Sequence, residues 1–215
     1  MQNYQPLINI VTRTANRPKG FARLRKSIEA QTYSNIRHIV VYDDDSALEY
    51  LQEGQGYELH KIDKEEILAR DRGVKPNTGG YFPYNYYIND AYKLIKEGYF
   101  YGIDDDDELL DANVIEDLAD VAEEDRLVLA KFQFDNGMVI PLDGDFGKAP
   151  KICRIGGSCM FFHIKWVDFA QFDCWKCSDF RVINRLYHSV PKTLFMDRVL
   201  MKCNNNGGKG EKIDI

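Results

Sequence analysis

Four consecutive aspartates and a glutamate, Asp104-Asp105-Asp106-Asp107-Glu108, follow the short apolar segment YFYGI. Like charges packed this closely repel one another, and a bound cation is the obvious way to hold them together at the end of a buried strand. Their hard oxygen donors suit Mg2+ or Mn2+, which are typically held by one or two protein carboxylates together with the phosphates of a substrate. The spacing is not that of an EF-hand loop, since no glycine falls at the sixth position. A plainer alternative is that Asp106, Asp107 and Glu108 favour the N-terminus of a following helix through its dipole. Two other polar clusters stand in comparable places: Asp43-Asp44-Asp45-Ser46 after IRHIVVY, and Arg13-Thr14-Ala15-Asn16-Arg17-Pro18 after LINIVT.

The elements that must carry these clusters are legible from hydrophobic period. Leu7–Thr12 and Ile36–Tyr42 are short, β-branched runs that predict buried strands, and Phe21, Leu24 and Ile28 recur at helical spacing between them. Strand, helix and strand in so short a span imply parallel pairing with a right-handed crossover. Tyr57–Ile62 predicts a third strand, followed by a polar loop from about Arg70 to Pro83. Tyr84, Ile88, Ala91 and Ile95 predict a helix closed by Gly98 as a left-handed cap. Tyr99–Ile103 is the strand that runs into the aspartates, and Leu110, Val114, Leu118 and Val121 predict the next helix. LVLAKFQF and MVIPL flank Asp135-Asn136-Gly137, which is hairpin chemistry. In an open α/β sheet ligands bind beyond the carboxyl ends of the parallel strands, where all three clusters lie.

Composition narrows the classes. The 215 residues are 44% hydrophobic and 13% aromatic, enough for one substantial core. We therefore expect a single domain over 1–215. The net charge of −6 argues against a nucleic-acid partner. No apolar run is long enough to span a membrane, and MQNYQPLINI does not read as a signal peptide, so a cytoplasmic protein is the expectation. The five cysteines are odd in number and confined to the last third, which points to reduced thiols. Cys174 and Cys177 form a C-x-x-C without a second pair, so packing is favoured over zinc or redox chemistry.

Taken in order, INIVTRTANRP, AQTYSNI, VVYDDDS and EGYFYGIDDDDEL resemble the family 2 GT-A glycosyltransferases. Members of that family commonly carry T-x-N-R-P at a strand end, a helix ending in Q-T-Y-x-N-I, then V-V-D-D-G-S, and later G-E-Y-I-x-F-L-D-x-D-D. The similarity covers roughly residues 6–110 and continues weakly to about 190. It implies a GT-A type Rossmann-like mixed sheet flanked by helices, with a smaller antiparallel acceptor-side portion. It also implies a nucleotide-diphosphate-sugar-binding half over about 1–110, an acceptor-side half over about 111–203, and a flexible tail or linker to further domains over 204–215.

Carried over position by position, Thr12, Arg13, Thr14 and Arg17 would border the nucleotide, and Asp43 and Asp44 would contact base and ribose. Asp104 and Asp106 match the D-x-D signature, with Asp104 facing ribose or metal and Asp106 holding Mn2+ or Mg2+ on the diphosphate; Asp105 fits either position if the frame shifts by one. Asp45 replaces the family's usual glycine. An arginine from the third loop is expected at the nucleotide, with Arg70, Arg72 and Lys75 nearby. In the stretch Asp173 to Leu186, Asp179 aligns with the catalytic base and Ser178 replaces a preceding acid. The alternative is that Ser178 is an N-cap and Asp179 a first-turn acid. Gly156-Gly157-Ser158 would turn beneath the acceptor pocket, and His163 or His188 would complete a metal shell. The implied reaction is inverting transfer of a hexose or deoxyhexose from a UDP-linked donor to a glycan hydroxyl. A sugar nucleotidyltransferase and a non-catalytic, calcium-dependent sugar-binding module are the competing classes. The first should carry a glycine-rich loop after its first strand, and RTANRP has no glycine before Gly20.

Overall fold

The computed structural model describes residues 5–51, 56–77 and 79–204. Along the chain run β1 (Ile8–Arg13), α1 (Pro18–Glu29), β2 (Ile36–Tyr42), β3 (Glu58–Lys61), α2 (Lys64–Ala69), α3 (Tyr86–Tyr92) and β4 (Tyr99–Gly102). They are followed by β5 (Asp107–Leu109), α4 (Val114–Asp120), β6 (Arg126–Phe134), β7 (Val139–Ile140), β8 (Met160–His163), α5 (Ser178–Ser189) and β9 (Lys192–Cys203). The strands form one mixed sheet in the order β3-β2-β1-β4-β8-β6-β9-β5, with β7 paired to β6.

The first four of these, β3, β2, β1 and β4, are parallel. β1 lies between β2 on one side and β4 on the other, so the order reverses at β1, and the crevice beyond β1 and β4 is where such sheets bind ligands. The register settles which residues meet there. Ile8 pairs with Tyr99 and Val11 with Gly102, and Ile103 N donates to the Val11 carbonyl at 3.0 Å. Continued two residues further, that register sets Arg13 opposite Asp104.

Burial explains the strands' composition. Ile8, Ile10 and Val11 of β1, Ile39, Val40 and Val41 of β2, and Phe100 and Tyr101 of β4 are all buried, as a parallel sheet covered on both faces requires. From β4 the core extends to β8 through aromatic contacts: Tyr99 stacks on Phe161 with centroids 5.1 Å apart, and Phe100 lies 5.3 Å from Phe162. α1 begins at Pro18, whose missing N–H is no loss in a first helical turn.

Several expectations change. β5 and β9 pair in antiparallel register, Asp107 opposite Cys203, so Asp107 and Glu108 sit in a strand and Leu110 lies outside the helix, which starts at Val114. The helix-dipole reading of the acidic run is thereby removed. α2 and the long β9 were not anticipated; the antiparallel acceptor-side portion is present, β8 pairing antiparallel with β4 and β6, and it continues the same sheet, in which β6 and β9 are parallel. The 135–137 hairpin is as expected, with Gly137 at φ +83°. Gly98 does not cap α3, whose last residue is Tyr92; 3-10-type bonds carry the turn on to Ile95. Asn204 N donates to Asp107 Oδ1 at 3.2 Å, so residue 204 is not part of a free tail. The rest of that expectation, 205–215, lies outside the described residues.

Gly98 instead solves a steric problem at the entry to β4. Its φ is +83°, and a Cβ there would fall 2.3 Å from the Leu7 carbonyl oxygen. Both a left-handed backbone and a collision with main chain oppose any side chain. Gly98→Ala should lower stability by roughly 2 kcal/mol or more, read as a shift of the urea midpoint without a change in slope; an unchanged midpoint would contradict the fit.

Candidate active site

A cleft of about 740 Å³ opens at the carboxyl ends of β1 and β4. Its lining brings together Arg13, Thr14, Arg17, Asp43, Asp104, Asp105, Asp106 and Asp179, eight of the residues singled out from sequence. Thr12 and Asp44 are not among them. Thr12 is fully buried on the other face of β1, where its Oγ1 lies 3.0 Å from His38 Nε2. Burial lowers the His38 pKa to about 4, so this is a neutral core contact. Asp44 is exposed and accepts from Ser46 N at 2.9 Å, opening a 3-10 turn. Alternation along a strand sends Thr12 inward when Arg13 faces the cleft.

The acidic run is distributed by backbone direction and by two arginines. Arg13 donates to Asp104 Oδ1 through Nε at 3.1 Å and through Nη2 at 2.6 Å. Arg17 Nη1 donates to Asp105 Oδ1 at 2.7 Å and lies 3.7 Å from Asp106 Oδ2. Asp105 also accepts from Ala15 N at 3.2 Å and from Thr14. Burial opposes the charge on both arginines, but Asp104 and Asp105 outweigh it and hold them above their ordinary range. Burial pushes the Asp105 carboxyl up to about 6 in spite of Arg17. Asp107 leaves the cluster: its carboxylate accepts from Cys203 Sγ at 3.4 Å and from Asn204 N. Burial, then repulsion from Asp104 and Asp106, drives its pKa far above the carboxylate range.

At one end of the cleft, Asp43 Oδ2 accepts from the Tyr87 hydroxyl at 2.7 Å and from Lys64 Nζ at 3.0 Å. Lys64, Ile67 and Leu68 of α2 form the wall beside it. Asp45 turns away to Lys61 at 2.6 Å. Tyr84 lies under the Arg13 guanidinium, 5.5 Å to its centroid, and Asn85 Oδ1 accepts from Arg13 Nη1 at 3.3 Å. Sequence reasoning missed Tyr84, Asn85, Tyr87 and all of α2. The available signal for α2 was Asp63 followed three residues later by Glu66, since Asp63 Oδ1 accepts from Glu66 N at 3.0 Å. Arg70 does not reach the nucleotide position; it binds Asp90 and Glu66.

Asp179, in the first turn of α5, also lines the cleft. Its Oδ1 accepts from Phe180 N at 2.8 Å, and Gly157 N also donates to it. A Cβ on Gly156 would crowd Phe132 at 3.0 Å, whereas one on Gly157 would make only ordinary contact with Asp179 Cβ at 3.7 Å. Burial raises the Asp179 pKa despite those N–H groups and the charges of Arg13 and Arg181. Ser178 is no N-cap, because its Oγ accepts from Asp173 N at 2.8 Å and the cap position is Cys177 at φ +61°. Asp173 is clamped by Arg181 through contacts of 2.6 and 2.5 Å. His163 and His188 are absent from the cleft lining: His163 Nδ1 accepts from Lys165 N, and His188 meets Tyr187 edge-on. All five cysteines are free thiols, and Cys177 faces Cys153 at 3.8 Å rather than Cys174.

Sheet order and a carboxylate-bearing crevice at the strand reversal define the GT-A fold. Comparison with solved structures gives the same answer. The first 349 residues of TarS from S. aureus superpose with a TM-score of 0.65 at 16% identity, over 93% of this chain and 60% of that one. The same fragment in complex with UDP-GlcNAc gives 0.63 at 14% identity, over 92% and 58%. The mannosyltransferase PcManGT from Pyrobaculum calidifontis, in complex with GDP-Man and Mn2+, gives 0.64 at 13%, over 93% and 57%. The chain thus spans less than two thirds of these neighbours. By sequence it matches no family profile and no curated protein. Among the described residues no helix is long and apolar enough to cross a membrane.

The raised pKa of Asp179 has a consequence for stability. Its folded value lies above its unfolded one, so ionisation costs stability at pH above the folded value, and the cost vanishes as pH falls below the unfolded value. Asp179→Asn should therefore raise Tm near neutral pH, and the advantage should shrink as the pH drops into the ordinary aspartate range. A Tm below that of the unaltered protein at neutral pH would contradict this account.

Proposed function

We propose that the chain is an inverting, metal-dependent glycosyltransferase that moves a hexose or deoxyhexose from a UDP-linked donor to a glycan hydroxyl. The observation that supports it most is one cleft that gathers Asp104, Asp106, Arg13 and Arg17 at the β1/β4 switch point together with the carboxylate of Asp179. Residues about 1–110 form the donor half and about 111–203 the acceptor half, with fusion to further domains after 215 as part of the same proposal.

The donor set fits a hard divalent cation. Asp104 and Asp106 both line the cleft with carboxylate oxygens, and among the described residues no group of three or more metal-binding side chains gathers. Two carboxylates completed by substrate oxygens are the habit of Mg2+ and Mn2+. When bound, such a cation would offset the charge developing on a departing diphosphate. PcManGT binds Mn2+ in its complex with GDP-Man, which accords with this choice. Arg13, the last residue of β1, and Arg17, at the N-cap of α1, supply positive charge to the same phosphates. Asp43, with Tyr87 and Lys64, would face the base.

Asp179 takes the proton of the acceptor hydroxyl as its oxygen bonds to the anomeric carbon, and the bond from that carbon to the diphosphate oxygen breaks on the opposite face. Configuration inverts. A carboxylate whose pKa is raised by burial is a stronger base than one in water.

Calorimetry with UDP-GlcNAc and Mn2+ should show binding that a chelator or Asp106→Ala abolishes, and UDP should bind more tightly than GDP. Equal affinity without metal would remove the cation from the account, and tighter GDP binding would overturn the choice of base. Asp179→Asn should reduce transfer by about a hundredfold or more while leaving donor affinity unchanged; unaltered transfer would refute its role as base.

A further inference from the structure

One stretch beside the cleft, next to Lys176, carries two cations that form no ion pair among the described residues. The segment before α3 and the turn before α5 are stitched together there. Tyr81 and Trp175 form an isolated antiparallel bridge, Phe82 N donates to the Cys174 carbonyl at 2.7 Å, and Trp175 Nε1 donates to the Arg72 carbonyl at 2.9 Å. The two rings meet edge-on with centroids 5.8 Å apart. Each carries a cation: the Arg72 guanidinium is 4.4 Å from the Tyr81 centroid, and Lys75 Nζ is 5.8 Å from that of Trp175. Both cations are exposed, and among the described residues neither forms an ion pair.

The acids beside them are committed elsewhere. The Asp71 carboxylate accepts from Gly73 N, and Asp173 is held by Arg181. In a chain of net charge −6, two exposed cations held over aromatic rings, with no ion-pair partner among the described residues, mark a place where an anion is accommodated. Their position restricts which anion. Lys176, adjoining Trp175, lines the cleft together with Asp179, so a molecule extending from this rim past Lys176 enters the cleft that holds the Asp179 carboxylate.

We propose that Arg72 and Lys75 form an acceptor subsite for an acidic glycan, whose carboxylate or phosphate groups meet these cations while a hydroxyl is presented to Asp179. The assignment rests on the transferase reading of Asp179. It adds that the acceptor is anionic, and that its charge is read by two residues outside the cleft lining.

The test uses the full chain and three hexasaccharides of defined charge: hexagalacturonate, 6-phosphorylated maltohexaose and unmodified maltohexaose. By calorimetry at low salt, one or both acidic probes should bind and the neutral one should not, the preferred probe telling carboxylate from phosphate. Binding should weaken on raising the salt, and the Arg72→Gln/Lys75→Gln double variant should lose about tenfold in affinity at an unchanged Tm. Equal binding of acidic and neutral probes, no binding of either acidic probe, or an unaltered affinity in the double variant would each overturn the proposal. Tighter binding of an oligouridylate of equal charge would also overturn it, by making the rim a nucleic-acid contact. Slow release of UDP from UDP-GlcNAc with Mn2+ separates the two levels of argument. If the unaltered chain releases UDP but the probes fail, the subsite assignment falls alone; if it releases none, the transferase reading beneath it falls as well.

Discussion

Four adjacent carboxylates at the end of β4 are the arrangement on which the rest of the site depends. Unscreened, they would repel one another and resist burial, yet Asp105, Asp106 and Asp107 are all nearly inaccessible to solvent. The register between β1 and β4 resolves the conflict by bringing a loop with two arginines to the same end of the sheet. Arg13 takes Asp104 and Arg17 takes Asp105, while Asp107 turns toward β9 and Cys203. A one-residue slip between β1 and β4 would break both pairings and turn the β1 side chains to the wrong faces, so sheet packing and site electrostatics are fixed by one register.

The same arrangement makes the cleft two-signed. Arg13 and Arg17 present cations to whatever enters, and Asp104 and Asp106 present anions, within one loop's width of each other. Under the proposed function this suits a ligand that is itself two-signed: a diphosphate with its divalent cation. The diphosphate alone would meet the arginines and be repelled by the acids, and the cation alone would meet the acids and be repelled by the arginines. Each partner offsets the repulsion felt by the other, so the pair is favoured over either component.

How much of this was visible in the sequence follows from what each signal reports. Strands β1, β2 and β4 were legible because a parallel sheet buried on both faces needs continuous apolar runs, and INIVT, IRHIVVY and YFYGI supply them. The loops after them were legible because charge cannot continue into a core. Direction within a loop was not: Thr12 and Asp44 stand beside Arg13 and Asp43 in sequence, yet one points into the core at His38 and the other caps a turn. α2 was missed because KEEILA is a six-residue helix with only Ile67 buried, too short to show a helical period. β9 was missed for the opposite reason. KTLFMDRVLMKC does alternate in part, but Asp197 and Arg198 interrupt it, and their role as surface ion-pair partners of Lys131 and Asp111 appears only when the strands are paired.

Asp179 shows where sequence and structure give different kinds of information. Its identity as a candidate came from resemblance, against the equally simple reading of a first-turn acid beside a capping serine. The structure places it in the cleft, withdraws Ser178 to Asp173, and turns the Gly157 N–H toward it as a donor. A helix-stabilising acid needs none of this, since it gains its interaction with the dipole best when exposed at the surface of the first turn. Here burial raises the pKa instead, so the carboxylate is held in a position where its charge opposes the fold. A carboxylate kept at such a cost, in the cleft that also gathers Arg13, Arg17, Asp104 and Asp106, is not explained by helix stability, and under the proposed function it suits an acid–base role.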